Sequence, residues 1–192
     1  MQVLIKKRKE TKKEVKNYIF LRGIRILACN MPTNLILIKR GESMNDEQFI
    51  DIAIEISKKA KYPYGAIVVK DGEIIGRSDD NTLMETSMYS HAELEAIESS
   101  SKNKKLYGDL KGATMYVSCE PCMMCMGAIL YEEFSKIVYA ATLQDSNDNY
   151  CPEMITDIDV LAKYSNSEIK IIKELHRDKA VEVLKKAGEN HE

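Results

Sequence analysis

Residues 118–128 read SCEPCMMCMGA and hold three of the chain's five cysteines, at positions 119, 122 and 125. Before them ATMYVS, at 113–118, has the composition of a strand. Pro121 then stands where the first turn of a helix tolerates its missing N–H, and PCMMCMGAILYEE continues as that helix. A strand that runs directly into a helix, with a cysteine pair at the helix start, is the unit around which the rest of the chain is arranged. Cys122 and Cys125 are three residues apart, so they fall on one helix face and direct two sulfurs at one point. Taken alone, the cluster is open to three readings: a redox pair, a closed structural zinc site completed by Cys119, or part of an active site.

Working outward, the pattern is regular from Met44 onward. MNDEQFIDIAIEISKKA carries Phe49, Ile50, Ala53, Ile54 and Ser57 at helical spacing behind Asn45 or Asp46 as N-cap. GAIVVK and EIIGRS flank Asp71-Gly72, a strong hairpin signal. HAELEAIESSSK reads as a helix with Ala92 and Ala96 inward, and KIVYAA as a buried strand. PEMITDIDVLAKY is expected to be helical, EIKIIKE to be a strand, and RDKAVEVLKKAGE to be a closing helix with Gly188 near its C-cap. The order α, β, β, α, β, α, β, α, β, α predicts one five-stranded mixed sheet with helices on its faces and its last strands parallel.

The first 43 residues differ. They hold 11 Lys or Arg against 3 Asp or Glu and show no clean period, whereas residues 44–192 hold 17 against 27. The expectation is a basic N-terminal extension, disordered, packed as an accessory or upstream of a start at Met44, followed by an acidic domain at 44–192. An acidic body is a poor binder of phosphate backbones unless its cations gather on one face. No apolar run approaches a membrane span, and YIFLRGIRILACN lacks the small-residue cleavage site of a secretory signal. A cytoplasmic, thiol-reducing setting follows, in which clustered cysteines point to metal or catalysis before disulfides.

His91-Ala92-Glu93 opens the helix that precedes the cysteine unit. Two sulfurs and one imidazole suit zinc, and three protein ligands leave a fourth tetrahedral position for water, as in catalytic sites. Glu93, in the first turn beside His91, is the candidate to move protons, and both helices would present their positive ends to the site.

H-A-E followed by P-C-x-x-C resembles the signature of the zinc-dependent cytidine and nucleoside deaminase superfamily. The resemblance implies a three-layer α/β/α cytidine-deaminase-like sandwich, usually a homodimer, with Zn2+ held by His91, Cys122 and Cys125 and with Glu93 as catalytic acid and base. It implies hydrolytic release of ammonia from a nucleobase or nucleoside. YPYGAIVVKDGEIIGR resembles the PFGAVIVKDG segment of guanine-deaminase-like proteins, and SCEPCMMCMGAI resembles their SCEPCPMCLGAI. By that likeness Asn81 and Asp145 are expected to contact the base, with Ala66 beside them, and a guanine-like purine is the favoured substrate. The alternatives are a tRNA adenosine deaminase, a cytosine or cytidine deaminase, and a nucleic-acid-binding module with a structural zinc. The stretch DSNDNYCPEM, in place of the glycine-rich run of bacterial tRNA deaminases, weighs against the first of these.

Overall fold

The computed structural model describes residues 18–21, 24–27, 36–39, 43–80, 87, 89–101, 110–166 and 168–190. Met1–Ser43 and Met44–Glu192 form two compact units. In the first, strands β1 (Tyr18–Leu21), β2 (Ile24–Leu27) and β3 (Ile36–Lys39) pair antiparallel in that order. The sequence shows no clean period there because each strand has only four residues, too few for an alternation to stand out.

The second unit opens with α1 (Asp46–Ser57), whose N-cap is Asn45. Asn45 and Gln48 form a capping box, each side chain accepting from the other's backbone N–H at 3.0 Å. Strands β4 (Ala66–Lys70) and β5 (Glu73–Arg77) follow as the expected hairpin. Its turn residues have positive φ, 52° at Asp71 and 75° at Gly72, the mirror-image turn that Asp-Gly favours. Then come α2 (Ala92–Ser101), β6 (Thr114–Cys119), α3 (Met123–Tyr131), β7 (Lys136–Ala141), α4 (Leu143–Asn149), α5 (Ile158–Ala162), β8 (Lys170–Ile172) and α6 (Arg177–Glu189).

The sheet order is β5-β4-β6-β7-β8, with β4 antiparallel to both β5 and β6, and with β6, β7 and β8 parallel. Helices α1 and α6 cover one face, and α2 and α3 cover the other, with α5 packed on α3. Strands β6 and β7 are accordingly buried on both faces almost throughout. The fold is thus the α/β/α sandwich expected from the sequence. Close approach of α2 to β5 depends on Gly76, where a Cβ would lie 2.2 Å from the carbonyl oxygen of Ala96. That contact holds the helix bearing Glu93 tight to the sheet.

One local expectation is corrected. The helix expected over 152–164 is reduced to α5, which begins where Asp157 accepts from Asp159 N (3.0 Å) and Val160 N (3.2 Å). The stretch LQDSNDN, given no element from sequence, forms α4, initiated by a capping box between Thr142 and Asp145. Gly188 lies in the last turn of α6, near the C-cap Asn190 as expected; the glycine permits contact with α4, since a Cβ there would sit 2.2 Å from Asn149 O.

Candidate active site

The parallel strands β6 and β7 deliver the chain to one edge of the sheet, and the site lies just beyond their carboxyl ends. At the end of β6, Cys122 takes extended backbone geometry as the N-cap of α3, one position outside the helical face expected from sequence. Its carbonyl accepts from Met126 N at 2.8 Å, while its side chain caps nothing and is left to the site. Cys125 follows inside the first turn and is buried. His91 immediately precedes α2, its carbonyl accepting from Glu95 N at 3.0 Å, and Glu93 lies buried in that helix's first turn.

One ligand atom each from His91, Cys122 and Cys125 lies within 4.8 Å of the others. Cys122 Sγ is 3.6 Å from His91 Nδ1. Zinc bonds of about 2.3 Å to sulfur and about 2.0 Å to nitrogen give a tetrahedral edge of roughly that length, so this donor set fits Zn2+. The thiols divide. A hydrogen bond with Cys125, and after it His91, lowers the Cys122 pKa to about 4, while the same bond with Cys122, together with burial, pushes Cys125 up. The Cys122 sulfur raises His91 to about 9. Glu93 is raised to about 7, first by burial and then by the Cys122 sulfur, so near neutral pH it can both hold and release a proton.

A cavity of about 540 Å³ opens over His91, Glu93 and Cys122. Tyr62, Tyr64, Tyr150 and Glu153 also line it, with Val117, Cys119 and Leu143. The rings of Tyr64 and Tyr150 meet edge to face with centroids 5.9 Å apart. Glu120 also borders the cavity, with its Oε2 accepting from Leu143 N at 3.2 Å. Burial raises the pKa of both Glu120 and Glu153.

The structure therefore brings together His91, Glu93, Cys122 and Cys125. It does not bring Asp145 into the cavity. That carboxylate is buried in the α4 cap, accepting from Thr142 N (2.9 Å) and from Arg177 Nε (2.8 Å) and Nη2 (2.7 Å), so its acceptor positions are used within the fold. Ala66 is fully buried in β4, its N–H donating to Ser78 Oγ at 3.0 Å, and it too stays outside the cavity wall. Asn81 lies outside the described residues. Sequence reasoning missed Tyr62, Tyr64, Tyr150 and Glu153. The two tyrosines around Pro63 sit in a quoted motif and were open to notice, whereas nothing in NDNYCPEM marks Glu153.

Residues 44–180 match the family described as MafB19-like deaminase. The guanine deaminase of Bacillus subtilis is 35% identical over 108 residues, 54% of this chain and 69% of that protein. A tRNA-specific adenosine deaminase of Buchnera aphidicola is 28% identical over 147 residues, 74% of this chain and 93% of that protein. Among solved structures, a guanine deaminase from Nitrosomonas europaea superposes with a TM-score of 0.60 at 19% identity, covering 78% of this chain and 89% of that one. A tRNA:A34 deaminase superposes with a TM-score of 0.56 at 24% identity, covering 71% and 98%. The two structures share the fold.

Proposed function

The chain belongs to the MafB19-like deaminases, and from that premise we propose that it hydrolyses the exocyclic C–N bond of a guanine-like purine, as base or nucleoside, releasing ammonia. The observation that carries the choice of ring is the charge of the cavity. Among the described residues it is lined by three carboxyls, Glu93, Glu120 and Glu153, and by neither lysine nor arginine. Glu93 belongs to the chemistry and Glu120 is bonded to Leu143, which leaves Glu153 to meet the ring. A carboxylate accepts two hydrogen bonds side by side, and guanine offers adjacent N1–H and 2-amino donors. Adenine presents an acceptor at its N1. A phosphate beside three carboxyls would be repelled, which favours a base or nucleoside over a nucleotide.

His91, Cys122 and Cys125 would hold the zinc. Zinc held there would lower the pKa of water to about 7 and so would supply a nucleophile at neutral pH. Glu93 takes one proton from water as its oxygen bonds to the ring carbon and passes it to the ring nitrogen, then takes the second from the hydroxyl now on that carbon and delivers it to the amine as the C–N bond breaks. Water and the aminated ring thus become the ring carbonyl and ammonia. Burial keeps the Glu93 proton from exchanging freely with solvent during that sequence. The tyrosine wall supplies flat apolar surface for the ring.

An ammonia-release screen over guanine, adenine, cytosine, their nucleosides and a tRNA anticodon stem tests the reading. Guanine or guanosine is the expected substrate; turnover of the stem without turnover of guanine would sink it. The second reading, adenosine deamination in tRNA, is favoured by relatives so named at 28–38% identity. A homodimer is supported by α3, which carries no charged residue yet exposes Met123, Met124 and Tyr131. Sedimentation of the Met124→Glu protein as a monomer, against a dimeric wild type, checks it.

A further inference from the structure

We propose that Asn147 is a positioning residue for ring selection: it clamps the backbone of Glu153 from both sides and so aims that carboxylate into the cavity. The clamp is visible in two bonds. Asn147 Nδ2 donates to Glu153 O at 3.2 Å, and Asn147 Oδ1 accepts from Glu153 N. A carboxamide bonded to both the N–H and the C=O of one residue acts as a neighbouring strand would, and it leaves that residue's side chain free to face elsewhere. Here the side chain faces the cavity.

Asn147 can do this because α4 is itself held rigid. Its first turn is fixed by the Thr142 and Asp145 caps and by Leu143 N donating to Glu120, and its carboxyl end is covered by Gly188 of α6. Ser146, fully buried, works beside Asn147. Its hydroxyl donates to Cys151 O at 3.2 Å and therefore accepts from Tyr64 OH at 2.7 Å. One turn of helix thus fixes Tyr64 through Ser146 and Glu153 through Asn147, while Tyr150, the C-cap of the same helix, packs on Tyr64. The ring-facing wall is assembled on α4, and Asn147 sets its polar element. Asn147 does not itself line the cavity, so its effect on substrate passes through Glu153.

This inference rests on Glu153 reading the ring. Steady-state kinetics with guanine on the zinc-loaded full chain test it, with Asn147→Ala, Glu153→Gln and the double variant compared at equal zinc content. Asn147→Ala is expected to raise KM about tenfold and to lower kcat less than about threefold, the pattern of lost binding and not of lost chemistry. In the Glu153→Gln background the same substitution is expected to change KM less than about twofold, because residues acting as one unit are not additive. Asn147→Asp, which keeps an acceptor for Glu153 N–H but sets a second acceptor oxygen against Glu153 O, is expected to raise KM as the alanine variant does, and remains informative if that variant folds poorly. Hydrogen exchange at the Glu153 amide is expected to quicken about tenfold in Asn147→Ala. If Glu153→Gln leaves guanine kinetics unchanged, the ring reading falls and this inference with it. If Glu153→Gln raises KM while Asn147→Ala is silent, or its effect multiplies independently, or the Glu153 amide stays equally protected, the positioning role alone is overturned.

Discussion

Asp145 was expected from sequence to touch the base, and the structure makes it a stabilising residue, so replacing it with asparagine separates the two. Its side chain is only 8% exposed and sits between the Thr142 cap and the Arg177 guanidinium. The bonds from Arg177, followed by those from Thr142, hold its pKa at about 2 against an ordinary 3.8. At about 1.4 kcal/mol per unit, that difference corresponds to about 2 kcal/mol of stability at neutral pH. Because the folded state holds the pKa below its unfolded value, this stabilisation is complete above the ordinary aspartate range and drains away as pH falls toward about 2. By pH ~3 roughly half should remain. Urea denaturation of wild type and Asp145→Asn at a series of pH values reads the gap directly. At pH 7 the variant should be less stable by about 2 kcal/mol and melt ~4–8 °C lower, and the two curves should converge in acid. A variant that unfolds with the wild type, yet shows a raised KM for its substrate, would refute the reasoning and return Asp145 to the cavity.

Glu93→Gln should lower kcat by ~10²–10⁴ while zinc content is unchanged, since a glutamine keeps the shape and cannot carry the proton; ammonia release with parallel metal analysis decides, and a retained rate would end the assignment. Cys125→Ser should leave the folded protein with less than about a tenth of its zinc, measured after dialysis, because one thiolate of three is lost from the set. Zinc bound at full stoichiometry by that variant would mean that the metal sits elsewhere. Gly76→Ala should destabilise by about 1–3 kcal/mol in urea, the cost of an overpacked contact, because its Cβ would meet Ala96 O at 2.2 Å. An unchanged midpoint would show that α2 can slide away from β5 freely.

The sheet and the metal ligands were legible in the sequence for a shared reason. Each follows from short-range rules: Asp71-Gly72 fixes a turn, alternating β-rich runs fix strands, and HAE and PCxxC place donors at helix starts. Zinc chemistry then demands few residue types at few spacings, so the donors identify themselves. Asp145 misled because sequence position alone cannot distinguish an acid that caps its own helix from one that faces a ligand. The Thr142-x-x-Asp145 spacing was itself a capping signal, but Arg177, its other partner, is 32 residues away and becomes visible only when α6 folds back. Tyr64 and Ser146, bonded across 82 residues, were beyond sequence reasoning for the same reason.

The metal end is built from two helix starts tied to the sheet, and any displacement there would break ligand geometry. The side of the cavity formed by Tyr150 and Glu153 is built on α4, seven residues long, and on the loop that leaves it. Its contacts are side chain to backbone, through Asn147 and Ser146, and these hold the path of the loop whatever side chains the loop carries. Relatives named for guanine and for tRNA adenosine deamination match this chain at similar identity, 35% and 38%, so overall similarity does not choose between the two substrates.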